Sequence, residues 1–159
     1  MIRVGAGYDL HRFEPDRPLI LGGVRVPFDK GLLGHSDADV LTHAIIDSLL
    51  GAAALGNIGQ HFPDTHPAWK NADSLDLLDR VIALLRTNNY EIVNVDATIV
   101  AEAPKLNPFL DQMRAKLADC LDLPLNRVSV KAKTNESVGP EGRGEAISVH
   151  AIALIQSKA

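Results

Sequence analysis

Two short stretches of this chain hold the residue types that do chemistry. The first is Asp9-Leu10-His11, at the end of an extended run over residues 2–8. On a strand, residues two apart face the same side, so Asp9 and His11 point one way and Leu10 points into the core. The second is Gly34-His35-Ser36-Asp37-Ala38-Asp39, a polar loop that runs into Val40-Leu41-Thr42-His43. Val40, Leu41, Ala44, Ile45 and Leu49 recur at helical spacing. Ser36 or Asp37 can cap that helix by accepting an unpaired N–H of its first turn. Asp39, His43 and Asp47 then stand four apart on one stripe, which flanks His43 with two carboxylates. A carboxylate behind an imidazole fixes its tautomer, the usual orientation of a metal-binding histidine. Asp9, His11 and His43 together supply two imidazoles and one carboxylate. Three protein ligands with a fourth position free is the catalytic form of a zinc site. The same residues also read as ordinary surface or capping groups, and so short a pattern does not choose between the two.

The elements that must position these residues follow from the spacing of apolar side chains. Residues 2–8 form a strand with glycines at 5 and 7, where the backbone passes close to a neighbour. Leu19-Ile20-Leu21 and Val24-Arg25-Val26 around Gly22-Gly23 make a hairpin with a two-residue turn. A first helix covers residues 38–55 and stops at Gly56. Residues 57–69 form a loop long enough to suggest function. Leu75, Leu78, Val81, Ile82 and Leu85 define a second helix over 74–87. Residues 91–101 alternate as a strand, and Pro108 opens a third helix that ends near Leu121. A strand over 127–134, a glycine-rich loop over 135–144 and a last strand over 145–155 complete the chain. The β-α-β segment over 91–134 implies a parallel pair with a right-handed crossover. The fold class is α/β, a sandwich of one mixed β-sheet with three helices on one face. The last strand is apolar on both faces apart from Ser148 and His150. The second sheet face then has no cover within the chain, which implies a closed homo-oligomer. Packing of residues 19–26 over that face is the alternative.

At 159 residues the chain reads as one domain, 1–159, and 46% hydrophobic content is ample for a core without disulfides. A net charge of −4 without a basic run argues against nucleic acid as a partner. No apolar run approaches the length of a membrane span. With a strand pattern from Ile2, no targeting segment is expected. Cys120, the single cysteine, falls in an apolar helical pattern and is expected to be buried and inert. One cysteine also fits a reducing compartment, so the expected location is cytoplasmic.

Several further segments extend the two reactive stretches into a pattern over the whole chain. They are Gly7-Tyr8-Asp9-Leu10-His11, Gly34 to Asp39 with His43, Ala52-Ala53-Ala54-Leu55-Gly56-Asn57-Ile58-Gly59, Phe62-Pro63-Asp64-Thr65, Ala103-Pro104-Lys105 and Gly142-Arg143-Gly144-Glu145. Together and in this order they closely resemble the 2-C-methyl-D-erythritol 2,4-cyclodiphosphate synthases of the non-mevalonate isoprenoid pathway. The resemblance implies a homotrimer with active sites between subunits. It implies zinc held by Asp9, His11 and His43, and magnesium or manganese contacted by Glu136. The implied substrate is 4-diphosphocytidyl-2-C-methyl-D-erythritol 2-phosphate, and the products are the cyclic diphosphate and CMP.

His35 and Thr134 match positions that stabilise the transition state, and Ser36 one that can bond phosphate. Asn57, Ile58 and Gly59 match the segment that holds the methylerythritol portion, with Phe62, Pro63, Asp64, Thr65 and His66 beside it. Ala101, Ala103, Pro104, Lys105, Leu106 and Asn107 match the nucleotide side, together with Lys133 and Asn135. Pro140 and Arg143 match positions near the trimer channel, where an isoprenoid diphosphate can bind. A structural salt bridge is the other reading of Arg143, and a solvated lysine that of Lys105. Asp47 is expected to stand behind His43. The chain departs from the family at Asn57 and His66, where acids are common, at Lys133 and Asn135, where threonines are frequent, and at Pro140, which replaces an aromatic. Two other functions fit the same residues: a zinc-dependent phosphohydrolase, and a non-catalytic trimeric metal- or isoprenoid-binding protein.

Overall fold

The long first strand, β1 (Ile2–Pro15), and the last, β7 (Ala146–Ser157), pair antiparallel along almost their whole length, from Ile2 opposite Gln156 to Arg12 opposite Ala146. In this computed structural model, which describes residues 1–158, that pair is the centre of the sheet. β5 (Tyr90–Val100) lies antiparallel on the other side of β7, and β6 (Val128–Lys133) lies parallel to β5. β4 (Lys30–Leu32) pairs antiparallel with the end of β1, giving the order β4-β1-β7-β5-β6. β2 (Leu19–Leu21) and β3 (Val24–Val26) form the expected hairpin, with Gly22 and Gly23 both at positive φ.

One sheet face is covered by α1 (Val40–Ala53), α3 (Ser74–Thr87) and α4 (Leu110–Leu121). Two one-turn helices, α2 (Ile58–His61) and α5 (Gly139–Gly142), sit in the loops. Helix α1 is the central layer and is buried nearly all round, with Leu41, Ile45, Ile46, Leu49 and Leu50 inaccessible to solvent. Each such side chain contributes about 1.5–3 kcal/mol by leaving water. The helix lies hard against β1. A Cβ at Gly5 would stand 2.0 Å from the Ser48 carbonyl oxygen, and one at Gly7 1.9 Å from that of Ala44. Only glycine permits this approach.

Several details differ from the sequence expectation. Asp39, rather than Ser36 or Asp37, caps α1, and its side chain accepts the Thr42 N–H. The helix ends at Ala54 in a left-handed conformation, before Gly56, because the Ala54 N–H closes onto the Leu50 and Gly51 carbonyls. Leu10 faces outward with Ile2, Val4 and Tyr8, while Asp9 and His11 share the helix side with Gly5 and Gly7. The outward face is apolar and open: Ile2, Val4, Tyr8, Leu10 and Ile152 are exposed by 67, 66, 53, 39 and 53%. The β2–β3 hairpin does not cover it. Gly22 packs against Leu41, Met113 and Leu117, which puts the hairpin on the helix side. Cys120 is half-buried rather than buried, and burial together with the neighbouring Asp79 pushes its thiol up to about 12. Among the described residues, no helix is long and apolar enough to cross a membrane.

Candidate metal centre

Strand β1 supplies Asp9 and His11, and the first turn of α1 supplies His43. The close strand–helix contact brings them together. Asp9 Oδ2 lies 3.0 Å from His11 Nε2 and 3.2 Å from His43 Nδ1, and the two nitrogens are 3.3 Å apart. One carboxylate oxygen thus faces two imidazole nitrogens. The outer nitrogens are held as well. His11 Nδ1 is 2.6 Å from the Leu33 carbonyl, to which it donates, so a neutral His11 has its lone pair on Nε2. His43 Nε2 is 2.8 Å from Ser74 Oγ and 3.1 Å from Ser36 Oγ. Two nitrogen lone pairs and one anionic oxygen converging on a single point fit zinc.

The charges follow from the same contacts. Burial raises the pKa of Asp9, but bonds from His11 and His43 outweigh it and hold the carboxyl well below the usual carboxylate range. Burial lowers that of His11, but the Asp9 carboxylate and the Leu33 carbonyl outweigh it, and the pKa is raised.

The carboxylates expected on either side of His43 have other work. Asp39 is fully buried and accepts the N–H groups of Gly22 at 2.9 Å, Gly23 at 2.8 Å and Thr42 at 3.0 Å, tying the hairpin to the start of α1. Burial, with Asp37 beside it, pushes its carboxyl up. Asp47 accepts the Ile58 N–H at 2.7 Å and holds α2 against α1. Neither carboxylate bonds the His43 ring, whose outer nitrogen meets Ser36 and Ser74 instead. Ser74 was not foreseen: it arrives from a helix 31 residues away, and in sequence it reads as a helix start.

The triad opens on a cleft of about 410 Å³ lined by His35, Ser36, Ile58, Gly59, Phe62, Pro63 and Asp64, with Trp69 and Leu77 as unforeseen apolar wall. Asn57, Thr65 and His66 do not line it. Asn57 caps α2 through a reciprocal pair with Gln60, and His66 accepts the Ala68 N–H. A second cleft, about 440 Å³, is lined by Ala101, Pro104, Lys105, Leu106, Asn107, Lys133 and Thr134. Ala103, Asn135 and Glu136 are outside its lining. Thr134 Oγ1 donates to Glu136 at 2.9 Å, and Asn135 bonds the Val138 carbonyl. Glu102, within the same stretch, also lines this cleft and has a buried carboxylate oxygen without a partner. Pro140 and Arg143 are exposed, and Arg143 pairs with Glu145 at 2.7 Å.

The two clefts share no lining residue, yet they lie at one end of the sheet. Asp9, Val149, Ile99 and Ala132 stand in one cross-strand row. Three strand spacings, about 14 Å, separate its ends. A third cavity, about 430 Å³ around Leu85, Tyr90, Leu121 and Arg127, lies at the other end and holds none of these residues.

A mixed sheet with helices on one face, and a candidate metal centre where β1 meets the central helix, define an α/β protein with a ligand cleft at the sheet end. The chain belongs to the YgbB family, whose model matches residues 2–156. It is 58% identical over 157 residues to 2-C-methyl-D-erythritol 2,4-cyclodiphosphate synthase of Burkholderia mallei (strain SAVP1), covering 99% of this chain and 97% of that one. Among solved structures, it is similar to the bifunctional IspDF of Campylobacter jejuni, with TM-score 0.95 and 41% identity, over 99% of this chain and 42% of that longer one. The IspF–CDP complex of Plasmodium falciparum gives TM-score 0.87 and 34% identity, over 99% and 97%.

Proposed function

We propose that this chain is a cyclodiphosphate synthase: it converts 4-diphosphocytidyl-2-C-methyl-D-erythritol 2-phosphate to the 2,4-cyclodiphosphate and CMP. The observation that carries the reading is the convergence of Asp9, His11 and His43 on one point at the mouth of a cleft, in a chain so close to a named synthase. In the reaction an oxygen of the 2-phosphate forms a bond to the β-phosphorus. The bond from that phosphorus to the bridging oxygen breaks, and CMP leaves with the electron pair. Attacking group and target are both anionic, so the protein's task is positioning and charge stabilisation.

Asp9, His11 and His43 would hold zinc, which when bound supplies a Lewis acid for a phosphate oxygen. Ser36, with a hydroxyl at the triad, bonds phosphate, and His35 on the cleft wall stabilises the charge that builds on the attacked phosphorus. Ile58, Gly59, Phe62, Pro63 and Asp64 hold the methylerythritol portion. Thr134, Lys105 and Lys133 take the nucleotide phosphates, while the backbone of residues 101–107 reads the base. Glu136 would hold magnesium or manganese. A solved relative is a CDP complex, which supports a cytidine diphosphate group in the substrate.

The active form in this reading is a homotrimer, in which the nucleotide cleft of one subunit faces the triad of the next. Two observations support it: the clefts are separate within the chain, and the outer sheet face is apolar and uncovered. An isoprenoid diphosphate beside Pro140 and Arg143 would require the Arg143–Glu145 pair to open. The lone half-buried thiol suits a cytoplasmic setting.

Phosphorus NMR of the chain with substrate, zinc and magnesium tests the reading. Cyclic diphosphate and CMP are expected, and linear phosphates would make it a hydrolase instead. His43→Ala should leave the thermal midpoint near that of the wild type and cut CMP release at least about a hundredfold. Release at the wild-type rate would remove the triad from the reaction.

A further inference from the structure

The side of His43 turned away from the triad is as closely built as the triad itself. Its Nε2 meets Ser74 Oγ at 2.8 Å. Ser74 is inaccessible to solvent and is the first residue of α3. Its hydroxyl donates to Asp37 Oδ1, and its backbone N–H donates to Asp37 Oδ2 at 3.0 Å. A hydroxyl has one proton to give. Given to Asp37, it leaves Ser74 Oγ an acceptor toward the imidazole. Facing that acceptor, a neutral His43 carries its proton on Nε2, and its lone pair is on Nδ1, the nitrogen beside Asp9 and His11.

We propose that Ser74 and Asp37 are positioning residues of the metal centre, a carboxylate–hydroxyl–imidazole relay that locks the tautomer of His43 and presents Nδ1 to a cation. The inference rests on the metal reading proposed above. The relay also joins the two helix starts that meet at the site. Asp37 Oδ1 accepts the Asp39 N–H at 3.1 Å, so one carboxylate fixes both the imidazole and the turn entering α1. It releases Ser36 as well. Ser36 Oγ lies 3.1 Å from His43 Nε2 and accepts the Ala38 N–H at 3.3 Å. With Nε2 already protonated, the Ser36 hydroxyl is an acceptor there and keeps its own proton for an anion in the cleft.

Zinc affinity of the full chain, measured by competition with a chromophoric chelator, tests the relay without relying on turnover. Removing an outer partner of a ligating histidine costs about 10–100-fold in metal affinity. Ser74→Ala is expected to fall in that range with a near wild-type thermal midpoint. Ser74→Thr, which keeps the hydroxyl, should hold zinc as the wild type does, and Asp37→Asn should fall between the two. Ser74→Ala with wild-type zinc affinity overturns the relay, whatever its turnover. If Ser74→Ala does not fold, the remaining pair decides: equal affinity in Ser74→Thr and Asp37→Asn overturns it, and a loss confined to Asp37→Asn supports it. A wild-type chain that takes up no zinc overturns the metal reading, and the relay with it.

Discussion

Asp9 stands where two imidazoles share one carboxylate oxygen, and the pH behaviour of the centre follows. The carboxyl is ionised far into acid, whereas His11 holds its proton to a higher pH than the ordinary 6.5, because the Asp9 bond outweighs burial. A cation entering the site must displace a proton from His11 but none from Asp9. The raised pKa means that this competition begins at a higher pH than for an unperturbed imidazole. Zinc affinity should be level on the alkaline side and fall about tenfold per pH unit once His11 is protonated. Chelator competition across neutral pH would show the bend, and a flat profile would take His11 out of the site. The convergence of Asp9, His11 and His43 was legible from residue type and from the strand and helix periods. Asp39 and Asp47 were not, although their spacing from His43 is real. A stripe says which residues are neighbours and not which way a carboxylate turns. The free N–H groups of Gly22, Gly23 and Ile58 drew both away.

At the scale of elements, the loop before α1 is held by its backbone so that its side chains can serve the cleft. Arg17 donates to the Gly34 carbonyl at 3.2 Å and the Ser36 carbonyl at 3.0 Å, and the Asn71 N–H donates to that of His35 at 2.8 Å. Three successive peptides are thus fixed around His35. Arg17→Ala should release two of them and lower kcat about ten- to a hundredfold, since small misplacements cost that much. Zinc affinity should not change, and Arg17→Lys should recover part of kcat. Wild-type kcat in Arg17→Ala would mean that the loop needs no such clamp. Arg17 escaped the sequence reading because nothing local ties it to residues 34–36. Helix α3 was read to its exact ends because Asp73 and Asn88 bound a clear apolar stripe. The one-turn α2 is too short for any period, although the Asn57 and Gln60 spacing that caps it was there to see.

The whole molecule presents two unlike faces. The helix side is closed, while the outer side carries a row of apolar side chains along β1 and β7 that no part of the described chain covers. This was partly legible, since the last strand reads apolar on both sides; that β1 contributes Leu10 to the outer row was not, because alternation alone does not say which face of a strand meets the helices. Wild-type chain should sediment at three times its 17.1 kDa. Val4→Asp combined with Ile152→Asp should sediment as a single chain, bind zinc as before and lose turnover. An active single chain would show that both halves of the site come from one subunit.

The seam between β1 and α1 has one more effect. Asp9 and His11 ride on the strand and His43 on the helix, and Gly5 and Gly7 keep the gap between them free of side chains. A methyl group at either position would act as a shim, levering one ligand away from the other two. The bite of the triad is therefore a mechanical dimension of the core, and ion affinity should report small changes in packing that leave every ligand in place.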